Sequence, residues 1–358
     1  MVEKRLRVPA ELAVRVPAQA MRDSTVAIFT ALGMPEQEAR QAAQVLIWAD
    51  LRGIESHGVS NMMPFYVRGL KEGGINPKPQ PSVTRETLGT ATLDHDRGLG
   101  LALGPSAMRL AMEKAKACGI GCVTVQNGRH FGAAGYHAAM ALENDMIGMA
   151  MTVGGWQVLP TFGAKPMVGL NPIGIAVPSR AQAPFIFDAS MSSVAGNKIR
   201  IAQRLGAEVG PGWVAGSDGT PIMELGPVPG EFNMLPVGAT REIGSHKGYS
   251  LAMMVEFLCA FLSGAGARLG PAANVSHHFL AYSVEAFTDI GPFKDEVDTY
   301  LAALLATPPA PGNDRVIYAG VEMQENLESR GREGIPYHKD VVEFYKATAT
   351  DLGVRHYL

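Results

Sequence analysis

Two histidines stand where an imidazole can work rather than only pack. The first is His57, in the run Glu55-Ser56-His57-Gly58. An imidazole titrates near neutral pH, so it can give or take a proton in either direction of a reaction. Ser56 beside it can hydrogen-bond a substrate oxygen. A histidine that merely satisfies helix carbonyls would look the same locally. The second is His130, in "NGRHFGAAGYHAA", residues 127–139. It falls between a strand end and the glycine-rich start of a helix. Ligands bind at such strand ends in open α/β sheets, and exposed helix N–H groups attract anions. Arg129 adds a planar fork of donors suited to a carboxylate or phosphate. An ordinary βα turn is the competing reading.

Three further stretches offer groups for holding a ligand. Asn171-Pro172 follows two glycines in "FGAKPMVGLNPIGIAVP". An asparagine side chain is donor and acceptor at once and can orient a planar amide ring. Asp188 ends the apolar run "FIFDAS". A carboxylate there can accept from a ribose hydroxyl or an imidazole N–H, or cap the following helix. His246 and Lys247 open "SHKGYSLAMMVE". Lysine at a helix start opposes the dipole, which points to an expected anion such as a cofactor phosphate.

The elements that must position these residues follow from local pattern. "GMPEQEARQAAQVLIWADLRG" reads as a helix with Pro35 in first position and Glu36 and Glu38 at its positive end. Ala39, Ala42, Ala43 and Leu46 form one apolar face, and Gly53 closes it. His57 therefore sits at a helix exit. "FYVRGLKEGG" is a second helix and "NPKPQP" an extended linker. A β/α alternation follows. "ATLDHD", "IGCVTVQN", "IGMAMTV", "IGIAVPS", "PFIFDAS" and "HHFLAYSV" are strand-like. "PSAMRLAMEKAKACG", "GAAGYHAAMALEND", "SSVAGNKIRIAQRLG" and "SHKGYSLAMMVEFLCAFLSG" are helical, the last with Ser245 as N-cap and Gly264 as stop. The fold class is α/β: a mixed sheet flanked by helices, with helical material from both chain ends. The expected division is a helical substrate and dimerisation lobe at 1–120, an α/β cofactor lobe at 121–300, and a C-terminal segment at 301–358 returning to the first lobe.

Composition narrows the function classes. A net charge of -3 offers no basic face for nucleic acid. Charged residues are 18%, below the usual quarter, which fits burial at a subunit contact. Three cysteines with no CxxC pair favour a reduced, cytosolic setting. The N-terminus shows no apolar signal core, and Glu256 interrupts the longest apolar run, so no membrane span is expected. Two glycine strings, residues 98–104 and 264–270, are both one residue too long for GxGxxG. The first would also have to open its helix at Pro105. His277 and His278 are adjacent, so a strand sends them to opposite faces and no metal site is expected. A metal-dependent lyase or hydrolase rests only on nine scattered histidines.

Six motifs occur in a telling order: "ADLRGIESHGVSN", "HFGAAGYHAA", "GLNPIGIAVP", "FDAS", "HKGYSLAMMVE" and "PGNDRVIYAG". Together, over roughly residues 46–336, they resemble the type-2 malate/L-lactate dehydrogenases. That family includes sulfolactate and ureidoglycolate dehydrogenases, diketogulonate reductase and a piperideine-carboxylate reductase. The resemblance implies a non-Rossmann fold that binds NAD or NADP, an intimate homodimer, and oxidation of a 2-hydroxy acid or reduction of a 2-oxo acid. It implies that His57 or His130 exchanges the proton and that Ser56 binds the substrate oxygen. Asn171 and Pro172 would lie near the nicotinamide. Asp188, Ala189, Ser190, Lys247 with His246, and the Gly312 loop would contact the cofactor. The sequence does not choose between NAD and NADP; Lys198, Arg200 and Arg204, which follow the Asp188 turn, are candidates for a 2′-phosphate. One position departs from the pattern. Asn61 stands four residues after His57, where many members carry an arginine for the substrate carboxylate. Asparagine supplies no charge-assisted pair. Either Arg129 takes over, or the substrate is another kind of molecule, such as a cyclic imino acid. A relative that binds nucleotide without catalysis is the remaining alternative.

Overall fold

The computed structural model describes residues 4–267 and 275–358. The second glycine string, 264–270, lies partly outside them. The chain opens with a short strand, β1 (Ala13–Val16), and helices α1 (Ala18–Ala31), α2 (Glu36–Leu51) and α3 (Val59–Lys71). The expected apolar face of α2 is fully buried at Ala39, Ala42, Ala43 and Leu46. Pro35 stands one place outside the helix, as its N-cap, and Glu36 and Glu38 fill the first turn. Helix α3 begins six residues before Phe65, the expected start, and carries Pro64 inside it.

The sheet follows. Its strands are β2 (Ser82–Glu86), β3 (Thr90–Asp94), β4 (Ile120–Gly128), β5 (Met146–Val153), β6 (Ile173–Val177), β7 (Phe185–Ala189) and, after the small pair β8 (Val214–Ala215) and β9 (Asn233–Met234), β10 (Val275–Ser283). They lie in the order β2-β3-β4-β10-β5-β6-β7. β3 and β4 run parallel, joined by α4 (Gly100–Cys118). The remaining neighbours in this sheet pair antiparallel. Strand β2 gave no sequence signal because all five of its residues are exposed, so no apolar alternation marks it. The sheet thus begins at Ser82, and the expected division at residue 120 cuts through it. Helix α4 starts at Gly100 rather than at Pro105.

Helices pack on both faces. Helix α5 (Ala134–Ala139) covers β5 and β6 closely enough that a Cβ at Gly148 would overlap its backbone. Helix α6 (Gly196–Leu205) lies beside the β7 end, and α7 (Ser245–Glu256) continues into a π-helical turn, Phe257–Phe261. Gly244, at φ +107°, takes the N-cap of α7; Ser245 is buried instead against the Thr161 hydroxyl. The chain closes with α8 (Ile290–Leu305), α9 (Val321–Glu333), β11 (Ile335–His338) and α10 (Lys339–Asp351). β11 pairs with β1, and Ile335, Tyr337, Val341 and Tyr345 join the core of α1, α2 and α3. Among the described residues no helix is long and apolar enough to cross a membrane.

Candidate active site

The His57 loop is a tight link between two helices. α2 ends at Leu51, Gly53 turns with φ +78°, and α3 begins at Val59. The Asp50 carboxylate accepts from Val59 N–H at 3.0 Å and from the Tyr337 hydroxyl at 2.9 Å. A Cβ at residue 58 would overlap that carboxylate, which is why glycine follows His57. Arg330 donates to Asp50 O and Glu55 Oε1, both at 2.7 Å, and Asn197 donates to Ser56 O at 2.6 Å. Within this frame Ser56 Oγ stands 2.9 Å from His57 Nδ1.

His130 leaves the end of β4 and faces His57. The rings stack at 5.8 Å between centroids, 12° from parallel. Gly132 N–H donates to His130 Nδ1 at 3.2 Å, so that nitrogen carries no proton and the Tyr66 hydroxyl, 2.7 Å away, donates to it as well. Burial pushes His57 down from 6.5 to about 4, and the Lys198 charge adds to the shift. Burial pushes His130 to about 3, with His57 and His137 adding to the effect. The two histidines differ in kind. Protonating His130 at Nδ1 would break the Gly132 hydrogen bond, since a backbone N–H can only donate. His57 Nδ1 pairs with a hydroxyl that can donate or accept, so His57 tolerates either state.

Both histidines line a cleft of about 1540 Å³. That exceeds the span usual for a drug-sized ligand and leaves room for a dinucleotide beside a small acid. Ser56, Arg129, Asn171, Pro172, Asp188, Ala189 and Ser190 line it too. Asp188 Oδ2 accepts from Gly135 N–H at 2.8 Å, and burial raises its carboxyl to about 6. It caps α5, not the helix that follows it in sequence. Asn171, at φ +43°, donates to Ala252 O and Glu256 Oε1. Its amide oxygen is buried without a hydrogen-bond partner among the described residues. That orphaned acceptor and the Asp188 carboxylate suit the carboxamide and sugar hydroxyls of a nicotinamide dinucleotide.

Other expected residues stand elsewhere. Asn61 does not line the cleft: it is buried, accepting from Arg204 at 2.9 Å and donating to Glu55 O at 3.4 Å. Arg129 spends donors on Gly74 O and Gly128 O, so part of its fork holds backbone. Arg204 also donates to Ser60 O and does not line the cleft, and Lys198 lies near His57. Arg200 is exposed at the cleft. Within one chain His246, Lys247 and Gly312 do not line it. His277 and His278 separate as expected. His277 joins Thr152 and Arg129 O, while His278 meets Leu258 O. Among the described residues no group of three or more His, Cys, Asp or Glu is placed to hold a metal.

Sequence reasoning missed Tyr66, Asp50, Asn197, Arg330 and Tyr337. Each carries ordinary local patterning, and its partner lies far along the chain. Tyr66 alone left a trace, as a hydrogen-bonding group among the buried positions of α3.

The family described as malate/L-lactate dehydrogenase matches residues 16–344. A malate dehydrogenase of Pyrococcus abyssi is 38% identical over 349 residues, covering 96% of each chain. An L-sulfolactate dehydrogenase of Methanocaldococcus jannaschii is 33% identical, covering 91% of this chain and 94% of the other. The solved malate dehydrogenase of Pyrococcus horikoshii superposes with a TM-score of 0.88 at 34% identity, over 99% of this chain and 100% of that one.

Proposed function

The chain belongs to the malate/L-lactate dehydrogenase family, and from that premise we propose that His57 carries the proton of its reaction. The protein is an oxidoreductase that interconverts a 2-hydroxy acid and its 2-oxo acid with NAD or NADP. When bound, the dinucleotide supplies or accepts the hydride. The residues present fit it: Asn171 Oδ1 would accept from the carboxamide, and Asp188, Ala189 and Ser190 would hold the sugar.

The observation that carries the reading is the unequal pairing of two stacked histidines. His130 is held neutral by the Gly132 N–H, with the Tyr66 hydroxyl beside it, which leaves its proton on Nε2 as a hydrogen-bond donor for the substrate oxygen. His57 takes the hydroxyl proton in oxidation and returns it in reduction, with Ser56 adapting to each state. Lys198 gives the substrate carboxylate a cation beside His57, the part that Asn61 cannot play. Neutralising that cation removes one cause of the low His57 pKa and brings the imidazole toward its working range.

A homodimer belongs to the same reading. The α7 helix and the turn after it expose Leu251, Met253, Met254, Phe257, Phe261 and Leu262, an apolar row that a second copy would cover. His246 and Lys247 stand at the head of this helix, so a cofactor contact from them would be made next to that interface. The cysteines Cys118, Cys122 and Cys259 are unpaired, which supports a reducing, cytosolic location.

Fluorescence titration with NADH and NADPH tests the cofactor. Binding on the order of tens of micromolar is expected, and none in that range would overturn the reading. A screen of 2-oxo acids, sulfonated acids and cyclic imino acids then ranks the substrates. A cyclic imino acid turned over faster than every 2-oxo acid would replace the 2-hydroxy acid assignment.

A further inference from the structure

Asp50 is entirely buried in the last turn of α2 and does not line the cleft, yet it closes the loop that carries His57. Its backbone is the root of that loop, and its side chain holds the far end through Val59 N–H. Val59 opens α3, where the first N–H groups have no partner within the helix. Asp50 therefore caps the helix from outside and ties the loop into a ring. His57 stands two residues before the tie.

The ring is gripped from the C-terminal part of the chain. Tyr337 of β11 donates to the same Asp50 oxygen that holds Val59. Arg330 of α9 bridges the Asp50 carbonyl and the Glu55 carboxylate, with both side chains of that ion pair nearly buried. Neither Arg330 nor Tyr337 lines the cleft. They reach the chemistry only through the loop.

We propose that Asp50, held by Tyr337 and Arg330, is a positioning residue that sets where His57 stands, and that its charge state changes that position. The inference rests on His57 being the proton carrier.

The charged and titratable groups around Asp50 are Glu55, Arg330 and the phenols of Tyr337 and Tyr345. Burial outweighs them and raises the Asp50 carboxyl to about 7. When ionised, it accepts two charge-assisted hydrogen bonds at one oxygen. When protonated, those bonds weaken, and the other oxygen has no partner among the described residues. Burial places both catalytic histidines well below neutrality and Asp188 at about 6, so a limb in the free enzyme that moves with Tyr337→Phe belongs to Asp50.

The test is the pH profile of kcat and KM from pH 5 to 9 for wild type, Tyr337→Phe and Asp50→Asn, with melting curves alongside. In wild type, kcat/KM, which reports the free enzyme, falls as pH drops through about 7. Tyr337→Phe removes a donor to the ionised carboxylate, so the limb moves to higher pH. Its kcat at neutral pH falls about 10- to 100-fold, the scale of a small misplacement, while KM values and dinucleotide Kd stay within about 2-fold. Asp50→Asn flattens the limb. Should that variant fail to fold, Tyr337→Phe decides. A limb that neither substitution moves, or a loss of melting temperature with kcat unchanged, overturns the proposal. Full turnover in His57→Ala would instead overturn the proton assignment itself.

Discussion

Two carboxylates, Asp50 buried and Asp188 half-buried, perform the same structural task at the site. Asp50 caps α3 beside His57, and Asp188 caps α5 beside His130. Each reaches a helix that is not its own, and each lies against a glycine, Gly58 or Gly135, that leaves it room. They differ in what else they face. Asp188 lines the cleft, whereas Asp50 is closed behind its loop. A carboxylate open to the cleft can cap a helix and still serve a ligand. One sealed behind it can act on chemistry only by placing its neighbour. Burial also disfavours the ionised form of the sealed one more, raising Asp50 to about 7 and Asp188 to about 6.

The largest effect expected from breaking this arrangement is at His57. His57→Ala lowers turnover about 10²–10⁴-fold, with dinucleotide binding nearly unchanged, read by single-turnover kinetics and titration. His130→Ala is expected to cost less, since the proposed role of His130 is that of a neutral donor. The opposite order would exchange their roles.

The carboxylates themselves come next, read as stability against pH. Each is protonated more readily folded than unfolded, so each loses stability as pH rises from about 4 through its folded pKa. For Asp50 the loss approaches about 4 kcal/mol, and for Asp188 about 3 kcal/mol, at 1.36 kcal/mol per unit above the ordinary value of 3.8. Asp50→Asn and Asp188→Asn should therefore compare better with wild type at pH 8 than at pH 5 in urea titrations. An Asp188 effect larger than the Asp50 effect would contradict the burial argument.

The smallest effects are at the glycines. Gly58→Ala drives a methyl into the Asp50 carboxylate and should cost up to about 3 kcal/mol. Gly135→Ala meets Asp188 at 3.0 Å, a contact that needs only a small shift, and should cost about 1 kcal/mol. Equal losses in chemical denaturation would show that the two caps are equally tight.

Much of this was legible before any coordinates. The α2 stripe, the central strands and the residues of the SHG, HFG, NP and DAS motifs follow from local pattern, and all of those motifs meet at one cleft. Strand β2 was illegible because its side chains are all exposed. The starts of α3 and α4 were misplaced because Pro64 and Pro105 look like boundaries, yet both fall inside helices. Asn61 read as a cleft residue because spacing alone says nothing of which way a helix turns it.

The sequence by itself determined which residues are able to do the chemistry, since type and local spacing carry that information. Only the tertiary structure decided their states. Whether His57 or His130 holds a mobile proton depends on Tyr66 from α3, on the backbone turn at Gly132 and on Lys198 from α6. The place of His57 depends on Asp50, Arg330 and Tyr337, the last two lying 275 or more positions from what they hold. Hydrogen bonds and burial act through space, and the order of residues along the chain does not reveal which distant side chains the fold will bring within reach.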